Sequence, residues 1–304
     1  MNQEQDEVYR LPSKGDNSLG STLARQIRDT ALSSGADLVG IADADLMPEH
    51  KESLHHMLPG TTRVVVVVTR HSLSALDSRN NQVRQFDTIH TYDESARAAH
   101  AVARKLEDLG YVAVAVPAFI PIDMKAPKNG MKGEISWRTA AVHAGLGSWG
   151  ENGLLVTRDF GSAVRICGVA TNAPLQADRP LAEDVCDHCM DCVKSCPAQA
   201  LSGGGKIDKK KCGDHIFRYG FRSFQGFMSD LFERDAKART TIDGYGLREM
   251  WQNFMTGNYY YCFRCQTRCH RSSSAPAHDH SRTVARSADL PPSTASGPID
   301  TRAG

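Results

Sequence analysis

The sequence predicts a mixed α/β (α+β) chain, with a layered domain of alternating helices and strands followed by a small module organised by cysteine. Three observations carry this. TRVVVVVTR, residues 62–70, is a short β-branched run with the length of a buried central strand. Helical and strand patterns alternate up to about residue 175. Eight of the nine cysteines fall between residues 179 and 270, where β-branched runs thin out.

Residues 1–19 read as a loose arm, and 20–178 as the layered domain. From Ser21, apolar positions Leu23, Ile27, Ala31 and Leu32 mark a helix, Gly35 stops it, and Leu38–Ile41 is a strand. In DESARAAHAVARKLEDL, Asp93 is the expected N-cap of a helix whose face carries Ala96, Ala99, Val102, Ala103 and Leu106. Gly110 ends it, and YVAVAVP follows as a strand. Residues 179–270 form the module, and 271–304, rich in Ser, Pro and Ala, read as a disordered tail.

Composition excludes some functions. With 36 basic and 35 acidic side chains the net charge is +1, so no basic field for nucleic acid is expected. The longest apolar run is five valines, far short of a membrane span. The N-terminus shows no secretory or twin-arginine pattern, so the cytoplasm is expected. Thiols stay reduced there, which favours metal ligation over disulfides.

CDHCMDCVKSCP places Cys186, Cys189, Cys192 and Cys196 before Pro197 in the C-x2-C-x2-C-x3-C-P run of bacterial ferredoxins. Three close thiolates wrap one cubane and the fourth points to a second. CFRCQTRC (Cys262, Cys265, Cys269) and the isolated Cys212 supply the remaining thiolates. Crossing the fourth ligands gives cluster A on Cys186, Cys189, Cys192 and Cys269, and cluster B on Cys196, Cys212, Cys262 and Cys265. Structural zinc is the competing use of C-x2-C pairs, disfavoured by the third cysteine and the x3-C-P close. Cys167, in VRICGVAT, reads as a buried small hydrophobe.

AGLGSWGENG contains G-x-G-x-x-G at Gly145, Gly147 and Gly150. A dinucleotide site needs a strand before and a helix after. Here ISWRTAAVHA, with Ile135, Thr139 and Val142 on one face, is the helix and comes first; GLLVTRDFG is the strand. The glycines are then either a helix stop and turn or a bare backbone that approaches a large flat cofactor.

GEISWRTAAVHAGLGSWGENGLLVTRDFGSAVRICGVATNAPL, the cysteine run, DKKKC and CFRCQTRC together resemble the iron-sulfur, cobalamin-dependent reductases, which comprise reductive dehalogenases and epoxyqueuosine reductase. The I-S-x-R…G-L-L-x-T-x-x-F-G pattern is nearer the dehalogenase branch. The resemblance spans roughly residues 20–270. It implies a nitroreductase-like corrinoid-binding core and a C-terminal ferredoxin-like 2×[4Fe-4S] module. It also implies cobalamin near Gly145, Gly147, Gly150, Gly153, Leu154, Thr157 and Gly161, with no protein histidine on cobalt.

Within this resemblance Arg138 is the candidate polarising group, with a surface helix arginine as the alternative. Tyr92 is the candidate proton donor, with an interface tyrosine as the alternative. The aspartate used by epoxyqueuosine reductase falls near Met131. His100 and His143 read as surface or core-edge residues. Asp123, Tyr219 and Tyr259–Tyr261 are candidates to line a pocket or shield a cluster. The expected activity is corrinoid-dependent removal of halide or oxygen from a small organic substrate, with electrons from an external low-potential donor such as ferredoxin or flavodoxin. Neither a membrane nor nucleic acid is expected as a partner. The alternatives are an electron carrier without its own substrate and an epoxyqueuosine reductase-like enzyme acting on tRNA. Near-neutral charge, the displaced acid and the lack of a helical-repeat segment after the clusters weigh against the latter.

Overall fold

The computed structural model describes residues 17–116, 133, 135–216, 224, 228–229, 232–233 and 262–273. Asp123, Met131, Tyr219, Tyr259–Tyr261 and the tail from residue 274 lie outside the described residues.

Four strands form the central sheet. They are β1 (Leu38–Asp43), β2 (Arg63–Arg70), β3 (Ala113–Val116) and, later in the chain, Val164–Thr171, the strand that contains Cys167. The order is β1, β2, Val164–Thr171, β3, and every pairing is antiparallel. The valine run is central, as its composition predicts, and all five valines are buried. Alternation sends Val65 and Val67 to one face and Val64, Val66 and Val68 to the other. Both faces are covered, which explains an unbroken apolar run in an antiparallel sheet.

Helix α1 (Asn17–Ser33) and a long helix (Asn81–Asp108) cover the first face. Helix α1 begins inside the expected arm and buries Leu23, Ala24, Ile27 and Ala31, whereas Leu32 is exposed. Gly35 closes it at φ +106°.

The long helix starts twelve residues before the expected Asp93. Asn80 is its N-cap, accepting from the Gln82 amide at 2.8 Å. Its first half buries Gln85, Thr88, Thr91 and Ser95, so helical period is carried there by polar residues. Thr88 and Thr91 satisfy their hydroxyls by donating back to the Arg84 and Asp87 carbonyls at 3.0 and 2.7 Å.

On the other face lies the helix Trp137–His143, N-capped by Ser136. Its buried side is Trp137, Ala140 and Ala141, not the expected Thr139 and Val142. Ile135 is buried but precedes the helix. The expected strand GLLVTRDFG is reduced to Leu155–Val156, paired with Ser148–Trp149, plus a Thr157–Gly161 bridge.

The cysteine module packs on this scaffold through polar contacts. The Ser148 hydroxyl accepts from the Val185 and Cys186 amides at 2.8 and 3.2 Å. Gln266 donates to the Ser162 carbonyl at 2.9 Å, and the Ser162 amide donates to the Ser272 hydroxyl at 3.1 Å. Arg271 and Ser272, assigned from sequence to the disordered tail, belong to the turn His270–Ser273, and Ser272 is buried. The module's ordered chain therefore runs past residue 270.

Candidate functional site: two thiol groups and a polar cleft

The eight module cysteines fall into two neighbourhoods. Cys186, Cys189, Cys192 and Cys269 line one small void together with Gly150, Asn152 and Val156. Burial first, and then the nearby Cys269, Cys189 and Cys186, together lift the Cys192 thiol to about 11. In the second neighbourhood, burial lifts Cys212 to about 11, with Cys262 and Cys196 adding to the shift. Burial also pushes Cys265 up, and Cys262, Cys212, Cys192 and Cys196 reinforce it. Cys265 thus feels one thiol of the first group as well as three of the second. Eight unpaired thiols packed in this way fit cluster ligation chemically: as thiols they oppose one another's ionisation, and a bound cationic centre would reverse that penalty.

Cys167 stands apart. Its sulfur donates to the Ser95 carbonyl at 3.0 Å, and burial lifts its pKa to about 12, so it is an inert core thiol.

The glycine turn does not fit its expected role as a corrinoid cradle. A Cβ on Gly145 would meet the Arg179 carbonyl, and one on Gly147 the Val156 carbonyl. On Gly150 it would strike Asn152 Oδ1 at 2.6 Å, on Gly153 the Gly205 carbonyl at 2.6 Å, and on Gly161 the Ser272 backbone. Protein fills each space, so these glycines let the turn and the module pack backbone to backbone. Leu154 and Thr157 serve the same turn. The Leu154 carbonyl accepts from Gly150 at 2.8 Å, and the buried Thr157 hydroxyl receives the Phe160 amide at 3.1 Å.

Arg138 belongs to this packing as well. Its Nη1 donates to the Gly153 carbonyl at 2.5 Å, and its guanidinium lies over the Trp149 ring at 5.6 Å. Burial lowers its pKa. The contacts make it a strut of the turn. Tyr92 lies inside the long helix with the Arg165 guanidinium 4.9 Å from its ring centre. It is not among the residues lining the cleft described next.

That cleft, of about 470 Å³, opens at the C-terminal end of β2. Arg70, His71 and Ser72 form one wall, Asp87, His90, Thr91 and Glu94 of the long helix another, and Asp159, Phe160, Ala163 and Ser272 the rest. Phe263, next to Cys262, packs with Ala163, Leu73 and Leu76 and meets the His71 ring edge-on at 6.3 Å. The cleft is thus one residue layer from the second thiol group.

His71 and Asp87 escaped the sequence reading. His71 Nδ1 donates to Asp87 Oδ2 at 2.6 Å, while Asp87 Oδ1 accepts from the Ser72 amide at 2.9 Å. The ring is wholly buried, and its Nε2 has no hydrogen-bond partner among the described residues. Burial and the Arg165 cation hold its pKa down at about 4, against the pull of Asp87. The position of His71 at a strand's C-terminal end was a usable signal. Nothing in the sequence singled out Asp87.

Comparisons with known proteins join these observations. No family model matches the chain. An epoxyqueuosine reductase of Bacillus cereus is 31% identical over 148 residues, 49% of this chain and 32% of the relative. A tetrachloroethene reductive dehalogenase of Dehalobacter restrictus is 32% identical over 142 residues, 46% of this chain and 23% of the relative. The chain is a homologue of both. Its fold is shared with the solved catabolic reductive dehalogenase NpRdhA, at TM-score 0.53 and 20% identity over 66% of this chain and 30% of that one. The match spans about a third or less of these relatives' lengths.

One expectation is overturned. Nucleic acid was excluded on charge, yet the relatives include epoxyqueuosine reductases. Net charge averages over a whole surface and does not report a local contact, so it does not exclude a nucleic-acid partner. No described helix is long and apolar enough to cross a membrane.

Proposed function

We propose that the chain is a corrinoid-dependent iron-sulfur reductase acting on an epoxyqueuosine-type substrate carried by tRNA. The observation that carries the reading is the pairing of two four-cysteine groups with a polar cleft one layer from the second group. The names of the relatives over residues shared with this chain supply the substrate. A dehalogenase activity is the second reading, favoured by the fold likeness to NpRdhA and by the tetrachloroethene reductase match.

In this reading Cys186, Cys189, Cys192 and Cys269 hold one [4Fe-4S] cluster, and Cys196, Cys212, Cys262 and Cys265 the other. A corrinoid would be held from the side of the cleft, since protein occupies each Cβ position of the glycine turn. When bound, it supplies a strongly reducing cobalt centre. The chain's own residues do the rest. Phe263 and the packed Ala163 separate the second thiol group from the cleft by one side-chain layer. Ser72, Thr91 and Ser272 offer hydroxyls, and Asp87 fixes the His71 ring. Protein reconstituted anaerobically with iron, sulfide and cobalamin should convert epoxyqueuosine to queuosine in a tRNA stem loop. Turnover of tetrachloroethene with no change in the RNA would reverse the assignment.

A further inference from the structure

The two thiol groups stand in unlike electrostatic surroundings. The void of the first is lined by Glu151 and Asp187, with Arg271 the one cation among its described lining residues. Glu151 is engaged by the His188 ring and the Gly204 amide. The Asp187 carboxylate, the Cys189 sulfur and a His270 ring nitrogen all lie within 4.8 Å of one another. Asp191 adds a carboxylate beside Cys189, partly offset by Lys194 at 3.9 Å. The Asp191 amide favours the Cys189 thiolate, but burial and the Asp191 and Asp187 carboxylates outweigh it and push that thiol up.

Around the second group the sign is reversed. Arg264 follows Cys262 by two residues, and its amide donates to the Cys262 sulfur. Arg84 comes from the scaffold: it sits half-buried in the first turn of the long helix, with Nε donating to the Ser78 carbonyl at 2.5 Å. Leu73 and Leu76, just before Ser78, pack on Phe263, so the Ser78 bond holds the guanidinium against the Cys262 segment. Burial pushes the Cys262 thiol up and Cys196 adds to it, while the Arg264 amide and both guanidiniums pull it back. Asp77 is the carboxylate that answers Arg84. The Cys196 sulfur also accepts from the Ala200 amide at 3.4 Å.

A charge that favours a thiolate also favours an extra electron on a thiolate-held cluster, because both place negative charge at the same point. We propose that these side chains give the two sites unequal potentials, with Arg84 holding the second four-thiol site above the first, so that an electron received at the first moves on toward the cleft. The inference rests on the ligand assignment under Proposed function. Each electron comes from an external one-electron donor; a transfer between the sites reduces one [4Fe-4S] centre by one electron and reoxidises the other, with no bond made or broken. Arg84 acts through its field at Cys262. At an effective dielectric near 20, a unit charge about 10 Å away alters a one-electron equilibrium roughly tenfold.

The test is an anaerobic redox titration followed by electron paramagnetic resonance, at about pH 8.5, above the ordinary imidazole range, on protein reconstituted with iron and sulfide. Wild type should reduce in two one-electron steps, and Cys196→Ser should remove the upper one. Arg84→Gln should lower the upper midpoint by about 59 mV, a tenfold change in a one-electron equilibrium, and leave the lower one unmoved. Arg84→Lys keeps the charge without the planar fork and should hold the upper midpoint near wild type. Asp187→Asn should raise the lower midpoint. Equal midpoints in wild type, loss of the lower step in Cys196→Ser, an unmoved upper midpoint in Arg84→Gln, or equal shifts in the two Arg84 variants overturns the proposal. If Arg84→Gln fails to fold, an Asp187→Asn titration identical to wild type overturns it equally. Protein that takes up zinc, or only one cluster, overturns the ligand assignment under Proposed function and this inference with it.

Discussion

Arg138 and Gly153 are joined by a 2.5 Å hydrogen bond from the Arg138 guanidinium to the Gly153 carbonyl, across the turn on which the cysteine module rests. The same guanidinium lies over Trp149. A charged donor to a buried carbonyl stabilises by roughly 1.5–3 kcal/mol. Arg138→Met should therefore lower apo-protein stability by about 2 kcal/mol in urea unfolding. A residue serving only chemistry would leave that measurement unchanged.

Gly153 adopts φ +68°, and a Cβ there meets the Gly205 carbonyl at 2.6 Å. Strain and overlap act together, so Gly153→Ala should destabilise by about 2–4 kcal/mol. Iron retention after anaerobic gel filtration should fall with it. Gly60→Ala is the control, because φ is +80° there and nothing lies within 4 Å; it should cost about 1 kcal/mol through backbone strain alone.

Cys196 sits in sequence with the first foursome but in space with Cys212, Cys262 and Cys265. Cys196→Ser should reduce iron from about eight to about four per chain and leave one [4Fe-4S] signal in electron paramagnetic resonance. Loss of both signals, or of neither, contradicts the grouping.

Acid sensitivity should track His71. Its pKa is about 4 in the fold, below the ordinary 6.5, so the folded state binds this proton less readily than the unfolded chain. The neutral ring's contribution is fully present above about pH 6.5 and is lost progressively as pH falls from there to about 4, amounting to roughly 3 kcal/mol. Denaturant unfolding between those limits should show the loss in wild type and a shallower one in His71→Gln.

Much of this arrangement was legible in sequence because regular spacing leaves a periodic trace. The valine run, the Gly35 stop and the cysteine intervals each encode one local geometry. Residues 81–92 hid their helix because Gln85, Thr88 and Thr91 fill its inward face with polar side chains. The glycines were legible as backbone contacts but not as to partner, since a missing side chain does not say whether cofactor or protein fills its place. His71 and Asp87 are sixteen residues apart, and only the end of β2 meeting the long helix brings them together.

If two four-thiol groups feed a corrinoid held at the cleft behind Phe263, anaerobic reconstitution followed by metal and cobalamin analysis will show it. About eight irons and one retained cobalamin per chain are expected, with cobalamin lost selectively when Ser74, an exposed residue of the cleft lining, is replaced by Trp. Zinc in place of iron, or cobalamin retained undiminished by Ser74→Trp, would contradict this arrangement.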